Sequence, residues 1–290
     1  MKNAREVKEV VINRYIGIGT FKLLCLNPNK DTINKMLGTN LDKEPEYKSI
    51  DDNGNKQIRI DMYFEHVTED ETLKYIHKVA FFLKDGKIIS KDGSKIKVIN
   101  NYGNTTFLPI TNFENNTVPE NMSWYATPYK ICYNGQEELI NFLIAYFAIP
   151  SLQYKDNTTG EYKIIDKPEN AEMFLEDIEA IINGDLTELK TLQDFDNKIK
   201  ILVGIKKTED NKIYQDTFTQ HFIKVNTTNT NFLESKVTEA KNNGRYPNTE
   251  FVYTELHKYV NESTQPNINT DKIPTISEKE VAENIEDLPF

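Results

Sequence analysis

Hydrophobic and polar residues alternate with a period of two along much of the chain, the pattern of strands with one buried and one exposed face. It predicts strands near 17–27 (GIGTFKLLCLN), 57–66 (QIRIDMYFEH), 76–84 (IHKVAFFLK), 95–100 and 105–110. After a gap the pattern returns at 198–206 (KIKILVGIK), 213–224 (IYQDTFTQHFIK) and 249–259 (TEFVYTELHKY). Turn-forming clusters separate the runs, at DDNGN (51–55), KDGK (84–87), KDGS (91–94) and TEDNK (208–212).

Helical spacing interrupts this alternation. A short helix is predicted over 30–37, with Asn29 or Asp31 near its cap. A stronger one opens at GQEELINFLIAYFAI, where Leu139, Phe142, Leu143, Tyr146 and Phe147 share a face and Pro150 ends the run. The stretch 169–195 reads as one or two helices, and a last helix over 229–243 is closed by Gly244. Strands, a helical insertion at about 135–196, then strands again make the chain α+β and mainly β. Each strand set is small, so one sheet or barrel split by the insertion over residues 1–260 is the economical arrangement. Past Tyr259 large apolar residues thin out, and 261–290 has the composition of a flexible linker.

Composition bounds the chemistry. The net charge is −10, of which 261–290 carries half, through seven acids and two lysines. The body is therefore mildly acidic, and any nucleic-acid surface must be a local stripe. No apolar run approaches the roughly 20 residues that span a bilayer, and the charged start MKNAREVKEVV does not read as a secretory signal. Cys25 and Cys132 sit in apolar stretches and, with four scattered histidines, make no metal-ligand spacing. They read as small core side chains in a reducing cytoplasm.

A catalytic reading finds little to work with. Neither cysteine has a nucleophile–base signature around it, and Gly17 and Gly19 of GIGT fit neither a dinucleotide fingerprint nor a phosphate loop. Asp61 and Glu65 alternate outward on their strand as solvated acids do. The chain is expected to be non-catalytic, without cofactor or metal.

A single-strand-binding face is a better match. On 57–65 the alternation sends Ile58, Ile60, Met62 and Phe64 inward and leaves Arg59 and Tyr63 outward; on 78–84 it leaves Lys78, Phe82 and Lys84 outward. The segment SKIKVINNYGNTTF adds Lys95, Lys97, Tyr102 and Phe107 around a glycine turn. Lysines can follow phosphates while rings stack on bases. The same rings could instead pack beneath the helical insertion, and a slip of one residue would reverse every face.

The terminus carries a second signal. Pro289 holds Leu288 extended, so Leu288 and Phe290 form an apolar pair beside the terminal carboxylate, flanked by Glu286 and Asp287. Such an end suits a basic-rimmed apolar pocket on another protein.

EDLPF at 286–290, after an acidic tail, resembles the C-terminal tip of bacterial single-stranded DNA-binding proteins. REVKEVVINRYIGIG, EPEY, INNYGNTTF and GQEELINFLIAY resemble the larger single-stranded DNA-binding proteins of crAss-like tailed phages, across about half the chain. The resemblance implies an OB-like barrel elaborated with the helical insertion and followed by a disordered acidic tail. It implies sequence-independent single-stranded DNA binding in phage replication or recombination, in the host cytoplasm. Partners would be single-stranded DNA and replication or repair proteins gripping the tip; no membrane is involved, and a homo-oligomer is compatible. The candidate DNA-binding residues are Arg59, Tyr63, Phe82, Lys84, Lys97, Tyr102 and Phe107; the candidate partner-binding residues are Glu286, Asp287, Leu288, Pro289 and Phe290. The alternatives are a phage structural or packaged assembly protein without nucleic-acid binding, and a metal-dependent nuclease.

Overall fold

The computed structural model describes residues 14–52, 54–99, 104–112, 130–148, 153–155, 162–164, 178–210 and 212–260. The chain divides into two units, Met1–Lys258 and Tyr259–Phe290, and of the second only Tyr259 and Val260 are described.

In chain order the elements are β1 (Tyr15–Leu26), α1 (Lys30–Leu37), β2 (Lys48–Ile50), β3 (Lys56–His66), β4 (Ile76–Lys87), β5 (Lys95–Ile99), β6 (Thr105–Pro109), β7 (Lys130–Ile131) and β8 (Tyr133–Asn134). Then follow α2 (Gln136–Tyr146), β9 (Gln153–Lys155), β10 (Tyr162–Ile164), α3 (Ile178–Ile182) and α4 (Thr187–Lys190). The chain closes with β11 (Lys198–Lys207), β12 (Ile213–Thr217), β13 (Ile223–Lys224), α5 (Phe232–Asn242), β14 (Thr249–Phe251) and β15 (His257–Lys258). Asn29 caps α1, accepting from the Thr32 backbone N–H at 2.9 Å, while Gly38 closes it in the left-handed region.

The principal sheet is antiparallel and runs β12-β11-β1-β3-β4-β8, with β2 added to β3, β13 and β14 to β11, and β15 to β1. It is curled into a half-barrel. Three strands separate β4, which carries His77, from β12, which carries Thr217, in that order, yet the two side chains meet at 2.8 Å. The inward residues are those the alternation selects: Phe21 and Leu23 of β1, Ile58, Ile60, Met62 and Phe64 of β3, Val79, Phe81 and Leu83 of β4, and Ile199, Ile201 and Val203 of β11. They pack against Leu139, Phe142, Leu143 and Tyr146 of α2. The Phe142 ring meets Phe64, Phe81 and Phe222 at centroid distances of 5.4–5.9 Å. Burying each such ring contributes about 1.5–3 kcal/mol.

Helix α5 covers the opposite face of β11, where Leu202 packs with Phe218, Ile223, Leu233 and Val237. A separate three-stranded sheet, β6-β5-β7, has its own small cluster of Ile96, Val98 and Leu108. The region between β8 and β11 holds α2, α3 and α4, as the helical spacing predicts, together with the β9–β10 hairpin, which it does not.

The cysteines divide. Cys132 is buried in the main core, and Cys25 is half-buried with its Sγ 3.9 Å from Met36 Sδ. Burial pushes the Cys25 thiol up to about 11 and that of Cys132 to about 12, so both remain protonated at neutral pH.

Candidate nucleic-acid interface

The interface begins with the register between β3 and β4. Gln57 lies opposite Lys84, Arg59 opposite Phe82, Asp61 opposite Ala80 and Tyr63 opposite Lys78. Directly opposed residues share a face, so Arg59, Tyr63, Phe82 and Lys84 stand on the outward side of the same two strands. Phe82 is 52% exposed and presents an open ring beside Arg59.

The neighbours of Phe82 are less open. Tyr63 is only 4% exposed, so it offers no face for stacking. Asp61, expected as a solvated acid, is 1% exposed. It lies between two cations that offset the cost of burying it, with Arg59 Nε 3.1 Å from Oδ1 and Lys78 Nζ 3.6 Å from Oδ2. The cause of both burials is the connection from Asn27 to Tyr47. Asn27 is pinned to β3 by three hydrogen bonds: its N–H to Asp61 O at 2.8 Å, its side-chain amide to Arg59 O at 3.1 Å, and the Asp61 N–H to its Oδ1 at 2.7 Å. At the other end the Arg59 N–H donates to Tyr47 O at 2.8 Å, and the Tyr47 ring lies 5.3 Å from the Arg59 guanidinium. Burial, then the Asp61 charge, push the Tyr63 phenol up to about 12 and raise that of Tyr47 as well. Lys84 forms an ion pair with Asp51.

The outward face continues across the sheet and gathers lysines that the sequence reading did not single out. Lys22 of β1 lies opposite Glu65 on one side and Lys198 of β11 on the other, and Lys200 lies opposite Thr20. Lys22 pairs with Asp196 at 2.5 Å, and Lys200 donates to Thr227 O at 2.6 Å. The signal was present in the polar positions of TFKLL and KIKIL, which alternate as Arg59 and Lys84 do.

Lys97 and Phe107 are cross-strand neighbours in the smaller sheet, and Phe107 is 43% exposed. Lys97 pairs with Glu137 of α2 at 2.6 Å. Lys97 and Phe82 border one recess of about 330 Å³, together with Asn134, Glu137, Glu138 and Arg245. Arg245 Nη1 meets Glu138 Oε1 at 2.7 Å. The structure thus places Arg59, Tyr63, Phe82 and Lys84 on one sheet face and brings Lys97 to the recess that Phe82 also lines. Tyr102 and the tip residues Glu286–Phe290 lie outside the described residues.

Among the described residues no group of three or more His, Cys, Asp or Glu side chains could hold a metal ion. No described helix is long and apolar enough to cross a membrane. No protein-family model, curated protein or solved structure matches the chain.

Proposed function

We propose that the curled sheet is an OB-like barrel that binds single-stranded DNA without catalysing a reaction, and that the chain serves phage replication or recombination in the host cytoplasm. The observation that carries this reading is Phe82, a half-exposed aromatic ring directly opposite Arg59 on a face that also bears Lys78 and Lys84. Bases would stack on Phe82, and phosphates would follow the lysines toward Lys22 and Lys200. The ion pairs with Asp51, Asp61 and Asp196 hold these cations in place, and a phosphate can exchange for a carboxylate at the exposed ones. The tip, Glu286–Phe290, would recruit replication or repair proteins.

Fluorescence titration with an unstructured oligonucleotide tests the reading. Binding should weaken as salt rises, since each neutralised phosphate of a single strand contributes about −0.7 to the log–log slope. Phe82→Ala should weaken binding by roughly ten-fold, the value of one stacking contact of about 1–3 kcal/mol. No binding at low salt ends the proposal. Removal of 286–290 should leave oligonucleotide affinity unchanged or higher while abolishing recovery of replication proteins from an infected-cell extract. Undiminished recovery would remove the tip's role.

A second reading, an assembly protein of the phage particle without nucleic-acid binding, draws on the pairing of Arg59, Lys84 and Lys97 with acids. Co-purification with capsid or tail proteins, and not with nucleic acid, would favour it.

A further inference from the structure

The recess beside β4 has a chemistry of its own. Arg59 and Asp61 direct their backbone groups away from β4, toward Tyr47 and Asn27. Their partners Phe82 and Ala80 therefore form non-hydrogen-bonded pairs with β3 and point their own backbone groups the other way. On that side β8 pairs with β4 only from Lys84 onward. Ala80 thus turns one donor and one acceptor toward the recess that it lines.

Across from this strand edge stand Glu137 and Glu138, each gripping a cation from a different element, Lys97 of β5 and Arg245 after α5. Gln220, its amide turned so that the oxygen faces the guanidinium, accepts from Arg245 Nε at 3.1 Å and Nη1 at 2.7 Å. Arg245 is thereby held in place, and Glu138 Oε2 has no hydrogen-bond partner among the described residues. Two cations face two carboxylates, so the recess has no net charge to attract a phosphate. Its wall includes the apolar Phe81, Ile88 and Cys132. A volume of about 330 Å³ is at the small end of the usual range for small-molecule sites, about 300–1,000 Å³. That is room for one heterocycle and too little for an added peptide strand.

We propose that this recess takes a single unstacked nucleobase carrying an exocyclic amino group, read by the Glu138 carboxylate and the backbone of Ala80. This rests on the single-strand-binding reading above and adds a base preference to it. A carboxylate accepts from an amino group, whereas thymine has no amino group and its one ring N–H lies between two carbonyl oxygens that the carboxylate repels. Cytosine is then bound better than thymine at one position per protein.

Titration of the full chain with fluorescent oligo(dC) and oligo(dT) of equal length at pH 7.5 tests this. Affinity for oligo(dC) should exceed that for oligo(dT) by about five-fold or more, the lower end of what one good base contact supplies. Glu138→Ala should bring the ratio near one, even though releasing Arg245 raises affinity for both. Glu138→Gln, which keeps an acceptor, should restore part of the preference; a merely structural role for Glu138 would not move the ratio. Equal affinities for the two oligonucleotides would overturn the base pocket and leave single-strand binding standing. Binding of neither would overturn both. A ratio unchanged in Glu138→Ala would place any preference elsewhere and refute this site. An unlabelled extended peptide that displaces neither oligonucleotide is also expected; displacement would assign the edge of β4 to a protein strand instead.

Discussion

Replacing Gly135 with alanine should destabilise the protein by at least about 3 kcal/mol, whereas Gly38→Ala should cost about 1 kcal/mol. Both glycines are left-handed, with φ of 81° and 65°, so both substitutions carry the same conformational penalty. They differ in what the new methyl group meets. At Gly38 nothing lies within 4 Å of the added carbon. At Gly135 the added carbon would stand 1.9 Å from the Phe82 carbonyl oxygen and 2.8 Å from its carbon, both backbone atoms of β4. No rotamer relieves that overlap, so the start of α2 must move away from the sheet. The displacement would loosen Phe142 from Phe64 and Phe81 and shift Glu137 and Glu138 relative to β4. Urea unfolding of the two variants measures the difference. Equal losses would mean that α2 does not approach β4 this closely.

The same contact shows where sequence pattern stops informing structure. The period-two alternation assigns Ile58, Ile60, Met62 and Phe64 to the inner face and Phe82 to the outer one, because those choices depend only on neighbours along a strand. It misjudges Tyr63 and Asp61 because their burial comes from Asn27 and Tyr47, whose fold-back onto β3 is non-local and leaves no periodic trace. Two predicted strands break for equally non-local reasons. The run 213–224 is one alternating segment, yet Phe218 packs under α5 while Phe222 enters the main core. The in–out phase of the alternation shifts between them, with Thr217 and Phe222 facing the main core and Phe218 and Ile223 facing α5, and the strand divides into β12 and β13. The run 249–259 changes partner, pairing with β11 as β14 and with β1 as β15. Of the site, the outward placement of Arg59 and of Phe82 was legible from alternation, but their pairing was not, because register between strands leaves no trace within either one. The recess was not, since its walls come from β4, β5, α2 and the turn after α5.

Stability should fall by about 3 kcal/mol between pH 6.5 and pH 4 through His77 alone. His77 is fully enclosed on the inner face of β4, its Nε2 2.8 Å from Thr217 Oγ1. The rings of Phe21 and Tyr75 stand at 5.7 and 5.9 Å. Burial among them lowers its pKa from 6.5 to about 4. In the unfolded chain His77 takes up a proton as the pH drops through 6.5, while in the folded chain it remains neutral down to about 4. The unfolded state therefore binds more protons across this window, and stability rises with pH within it. The contribution is complete above pH 6.5 and gone below about pH 4. Because His77 ties β4 to β12 through Thr217, protonation acts where the curled sheet is closed by side chains rather than by a ladder of backbone bonds. His77→Gln removes the titration and retains a partner for Thr217. His221, whose pKa burial also lowers, titrates alike in both proteins and cancels in the comparison. Urea unfolding from pH 7 to pH 4 should show the wild-type advantage over His77→Gln shrinking, or reversing, by about 3 kcal/mol; a difference that stays constant with pH would show that His77 takes up its proton equally well in the folded protein.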